Sequence, residues 1–150
     1  MTDIADIPGD AITADLRTTA NTLSFWAVKD IDELKNVIVA LATVPTAKGF
    51  DSIPVIWIDE DTIKQFGLGV NESIGITAAK HYADNHRDLV ELTYSSLGTV
   101  AGIVMSAIND GQYERVTTSK VKDYTREAYR NGEIDLDLLH DAMKEKIKKL

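Results

Sequence analysis

A chain of 150 residues with 44% hydrophobic content is long enough to bury a core and lies in the ordinary range of globular proteins. It has no cysteine, which excludes disulfides, thiolate catalysis and cysteine-bound zinc. Its net charge of −8 is uneven: residues 1–110 hold 7 Lys/Arg against 16 Asp/Glu, and residues 111–150 hold 9 against 8. A negative field disfavours phosphate backbones and favours basic partners or cations.

The first residues, MTDIADIPGD, have neither a basic n-region nor an apolar h-region, so no secretory signal is expected. Together with the missing cysteines this is compatible with the cytoplasm, the expected location. Residues 1–20 contain Pro8-Gly9 and four aspartates and read as a flexible N-terminal arm. Ile12, Ala14 and Leu16 alternate over a few positions, as a short edge strand would. Residues 21–150 are expected to form a single globular domain.

Thr22–Val28 reads as a strand with Leu23, Phe25 and Ala27 on one face. A helix follows. Asp30 is a good N-cap, Glu33 completes a capping box, and Ile31, Leu34, Val37, Ile38 and Leu41 make one apolar stripe. Val44-Pro45 closes it, and residues 45–52 form a loop. The run from Ile53 to Ile58 is a second strand, with Pro54 marking its start or an edge position. Strand, helix, strand in this order suggests a right-handed βαβ crossover and a parallel pair. Residues 59–66 suit a short helix stopped by Gly67 and Gly69, and residues 70–76 suit a loop.

The most apolar stretch starts after Asn85, with Leu89, Leu92, Leu97, Val100, Ile103, Val104 and Ala107 at helical spacings. It predicts a central buried helix over about 86–108. Gly98, Gly102 and Ser106 form a stripe of small residues on which a neighbouring element could approach closely. The stretch is too polar, and its flanks too poor in basic residues, for a membrane span. A turn at Asn109-Asp110-Gly111 precedes a weak strand over 112–118. A C-terminal helical pair follows: Lys120–Arg130, capped by Ser119 and closed at Asn131-Gly132, then a helix from Asp135 to the end. The expected fold class is therefore α/β or α+β, with a small sheet centred near 22–28 and 53–58 and packed by these helices.

No catalytic motif survives inspection. His86-Arg87-Asp88-Leu89 matches the start of the protein-kinase catalytic loop, but Thr93 stands where that motif needs Asn, and no DFG occurs. Ser73, Ser95 and Ser96 lack the glycines of a hydrolase elbow. His81 and His86 are five apart, off the spacing of a helical metal pair, and His140 reads as a boundary residue. Trp26 and Trp57, one per strand, read as core. The last helix begins with three acids, which disfavours nucleic acid.

Two acidic groups remain. Asp59, Glu60 and Asp61, with Asp84 and Asp88, are candidate partner-binding residues of a non-catalytic acidic interaction module. Small inhibitor, immunity and antitoxin proteins exemplify that class; the partner would be a basic protein, with no cofactor. The alternative places Asp30, Asp32, Asp59 and Asp61 at the carboxyl ends of parallel strands. There they would hold Mg²⁺ for chemistry on phosphate esters. A third reading is an assembly subunit that forms homo-oligomers through its helices.

Overall fold

The computed structural model describes residue 16 and residues 18–150. Most of the expected N-terminal arm, with the alternation at Ile12 and Ala14, lies outside the described residues. Its last part is a tight turn. Thr19 and Thr22 exchange backbone hydrogen bonds at 3.3 and 3.0 Å across Ala20 and Asn21, whose φ angles are +52° and +59°. Two successive left-handed residues are the signature of a two-residue hairpin turn.

The protein is mixed α and β, with two small antiparallel sheets. In chain order the elements are β1 (Leu23–Trp26), a 3₁₀ turn (Ile31–Glu33) leading into α1 (Leu34–Ala42), β2 (Ile53–Ile56), α2 (Glu60–Gln65) and β3 (Gly69–Glu72). A second 3₁₀ turn (Lys80–Asn85), β4 (His86–Val90), α3 (Tyr94–Asn109), β5 (Tyr113–Val116) and α4 (Thr118–Arg130) follow. A third 3₁₀ turn (Leu136–Leu138) and α5 (Asp141–Lys148) end the chain. One sheet has the order β1-β4-β3, and the other pairs β2 with β5.

This corrects the expected parallel pair: β1 and β2 belong to different sheets. The missing partner of β1 was hidden in the stretch read as the start of the central helix. Residues 86–90 form β4, and Glu91 then takes a left-handed φ of +55°, which breaks the strand. Thr93 starts α3 with a reciprocal capping box: Ser96 N–H donates to Thr93 Oγ1 at 3.2 Å, and Thr93 N–H to Ser96 Oγ at 2.6 Å. Residues 69–72, expected as loop, form β3.

The chain groups into two compact units, each assembled from three separated stretches. The first comprises the stretch up to Phe25, Pro54–Asn71 and Asp88–Glu114; the second comprises Trp26–Ile53, Glu72–Arg87 and Arg115–Leu150. Every passage between them falls inside a strand.

In the first unit the core gathers Ile63, Leu89, Leu92 and Val100, with Leu23, Phe25, Ile58, Leu68, Val70 and Val104 packed against them. Helix α3 is not surrounded, as its composition suggested. Val100, Ala101, Ile103 and Ala107 are buried, whereas Tyr94, Ser95, Gly98, Ser106 and Ile108 are exposed. A Cβ built on Gly98 meets nothing within 4 Å, so no element uses that position for close approach.

In the second unit α1 packs on α4 and on the second 3₁₀ turn, and α4 packs on α5. Val39, Ala78, Ala79, Ala128, Ile134, Leu139, Met143 and Ile147 form its core, ringed by Phe50, Tyr82, Tyr124 and Tyr129. Asp30 caps the first turn as expected, accepting from Glu33 N–H at 3.0 Å; Glu33 in turn accepts from Lys29 N–H at 3.0 Å. The cap of α4 is Thr117 rather than Ser119, and Gly132 closes it at φ +74°. The final helix starts at Asp141 rather than Asp135, because His140 caps it: Nδ1 accepts from Ala142 N–H at 3.1 Å. Met143 and Ile147 are fully buried, so the apolar face that would drive oligomerisation through this helix is already used within its own unit.

Candidate functional site

The feature best suited to recognition lies in the first unit, between α2 and α3. Asp59 begins α2 and Gly67, at φ +68°, follows its cap residue Phe66, so the helix has only six residues. A helix that short buries one residue, Ile63, and cannot cover the α3 face beside it. The result is a groove of about 500 Å³ whose apolar walls are Ile58, Phe66, Ile103 and Ala107. Thr62, Thr99, Ser106 and Gln112 supply hydroxyl and amide groups, Gly102 leaves the α3 side low, and Asp59 and Asp110 supply the charge. Phe66 is 58% exposed, an unusual state for a large aromatic beside a partly filled cleft.

Charge follows the same division. The described part of the first unit has 7 Asp/Glu against 1 Lys/Arg, a balance of −6. The second unit has 13 against 14, a balance of +1. That single cation, Lys64, is held by Glu60 at 3.0 Å, and this hydrogen bond raises its pKa above the ordinary lysine value. Asp59 uses its backbone, not its carboxylate, to start α2.

The structure therefore brings Asp59, Glu60 and Asp61 together at one end of α2, beside the groove. Asp84 and Asp88 lie on other elements. Asp84 belongs to the second unit, exposed on the 3₁₀ turn, where its carbonyl accepts from Arg87 Nη1 at 2.7 Å. Asp88 lies on β4 and accepts the Ser24 hydroxyl at 2.8 Å, a cross-strand bond within the sheet. The magnesium arrangement loses its premise, since β1 and β2 are not neighbours in one sheet. Asp30 and Asp32 sit at the 3₁₀ turn that opens α1, Asp59 and Asp61 at the start of α2. Among the described residues no three His, Asp or Glu side chains are grouped to hold a metal ion.

Two groove residues escaped the sequence reading. Phe66 was merged into the short helix and Asp110 into a turn; the available signal was an aromatic directly before a helix-stopping glycine. The histidines also moved. His86 lies on β4 with Ser73 Oγ 2.7 Å from its Nδ1 and the Trp26 ring edge-on at 5.1 Å. Ser73 N–H also donates to the His86 carbonyl at 3.4 Å, so the pair is a cross-strand ladder contact. Gly75 lies against the Trp26 ring, which has space only because that residue has no side chain.

Among the described residues no helix is long and apolar enough to cross a membrane. Comparison of the chain with protein-family models, with curated proteins and with solved structures finds no match.

Proposed function

We propose that the protein is a non-catalytic interaction module whose first unit binds a basic protein through the α2–α3 groove. The observation that carries this reading is an exposed Phe66 and an open apolar cleft in the unit that also concentrates the negative charge. Apolar walls supply affinity on burial, and the surrounding acids steer a basic partner and repel acidic ones. On this reading the protein is of the kind that includes small inhibitor, immunity and antitoxin proteins.

The test is association of the purified protein with its basic partner, measured from low to high ionic strength. The expected association rate falls steeply with salt. Asp59→Asn with Asp110→Asn flattens that dependence, while Phe66→Ser mainly speeds dissociation. A rate indifferent to salt, or a Phe66→Ser protein with unchanged dissociation, would remove the groove from the interface.

A further inference from the structure

The second unit has a smaller cavity of about 140 Å³ where α1, α4 and the 3₁₀ turn at 80–85 meet. Its lining is chemically specific. Two tyrosines (Tyr82 and Tyr124), two glutamates (Glu127 and Glu133) and two asparagines (Asn36 and Asn131) are among the residues that line it. Buried Val39 and Ala128 contribute its apolar surface. Lys35 is the only cation among these residues, so the cavity keeps one uncompensated negative charge.

We propose that this cavity is a binding site for a primary alkylammonium ion. An ammonium has three N–H donors and no acceptor, and the lining offers carboxylate and amide oxygens to receive them. Tyr82 and Tyr124 in the lining are of the residue type whose rings attract an organic cation. The volume admits about five water-sized groups, which matches an amine with a stem of a few carbons.

The chain itself supplies a tethered example. The Lys35 ammonium stands 3.6 Å from Glu127 Oε1, with both side chains half exposed. This is an ion pair too long to be a hydrogen bond, so a free ammonium can displace it. Among the described residues Glu133 has no such ion-pair partner. Its Oε2 accepts the Tyr82 hydroxyl at 2.8 Å, which fixes the carboxylate and leaves Oε1 as an acceptor. The inference concerns the second unit alone and does not depend on the groove reading.

The experiment is an NMR titration of the full-length protein, labelled with nitrogen-15, with three probes: n-butylamine, Nα-acetyl-lysine methylamide and the neutral n-butanol. The expected result is saturable shifts at Asn36, Tyr82, Tyr124 and Asn131 with butylamine and none with butanol. Lys35→Met tightens binding several-fold by removing the competitor. Glu133→Gln weakens it about tenfold, the loss of one charged hydrogen bond. Glu127→Gln, at an exposed position, weakens it without touching the Tyr82 bond. Tighter binding of the lysine derivative than of butylamine assigns the ammonium to a peptide side chain; the reverse assigns it to a free amine. Equal shifts with butanol, or binding unaffected by both glutamine variants, would overturn the proposal.

Discussion

The hydroxyl oxygens of Thr43 and Thr77 lie 3.1 Å apart in the interior of the second unit and tie the end of α1 to residues 77–79. Thr43 Oγ1 donates to the Val39 carbonyl at 2.7 Å, and Thr77 Oγ1 to the Ala40 carbonyl at 2.8 Å. Each hydroxyl has one proton, so the oxygen–oxygen contact can only share what the carbonyls already take. Thr77 Oγ1 also accepts Ala79 N–H at 3.1 Å, and Ala78 N–H donates to the Thr43 carbonyl at 2.9 Å. Thr77→Val keeps the shape but strands the Ala40 carbonyl and the Ala79 amide. The expected loss is about 1–3 kcal/mol of unfolding free energy, read by chemical denaturation.

Two glycines are expected to respond oppositely to alanine. Gly98 lies within α3 with open space where a Cβ would go, so Gly98→Ala should stabilise by about 0.5–1 kcal/mol through helix propensity. Gly75→Ala drives a methyl group into the Trp26 ring and should destabilise, with a change in tryptophan fluorescence. Thermal and denaturant midpoints of the two variants check both signs.

Alkaline titration reports on Tyr82. Burial first, and then the hydrogen bond and negative charge of Glu133, together push its phenol up to about 12. Because the folded value exceeds the ordinary 10.0, the neutral phenol favours the native state. That contribution is complete below pH 10 and is lost as pH rises from about 10 toward 12. Tyrosinate absorbance should show Tyr82 as a late-titrating group. Glu133→Gln should bring it part of the way back, because burial remains. A full return to the ordinary value would mean that the carboxylate, not burial, is the main cause.

An acid-side counterpart is Asp135. Its carboxylate bonds Lys80 Nζ at 2.6 Å and also accepts Asp137 N–H at 3.0 Å, which together hold its pKa below the model-compound value of 3.8. A depressed carboxylate contributes above its unfolded pKa and loses that contribution as pH falls through the folded one. Lys80→Met should therefore raise the Asp135 pKa, followed by carboxyl-carbon NMR, and change stability little at this exposed pair.

Local signals in the sequence were reliable where one residue decides one bond. Asp30 as a cap and Gly132 as a left-handed stop both stand in the structure. What failed was non-local. Leu89 and Leu92 fit the helical period of the residues after them, yet β4 is set by pairing with β1 and by the left-handed turn at Glu91. Neither is a property of the local pattern, and losing β4 turned two antiparallel sheets into one imagined parallel pair. The acidic site was half legible. Asp59, Glu60 and Asp61 are contiguous in sequence, but Asp110 meets Asp59 at the groove only because α2 lies beside α3. Asp88 bonds Ser24, 64 residues away, a pairing that no local pattern displays.

The central claim, that the α2–α3 groove is where a basic protein binds, is tested most directly by site-specific photocrosslinking. A photoreactive residue replaces Phe66 in the groove or, as a control, Leu138, an exposed apolar residue of the second unit. Each protein is irradiated in a lysate of its source cell at low and at high salt. The account predicts a discrete adduct with a basic protein from position 66 only, lost at high salt and lost when Asp59 and Asp110 are both changed to Asn. The same adducts from position 138, or an adduct at position 66 that survives the double substitution, would contradict it.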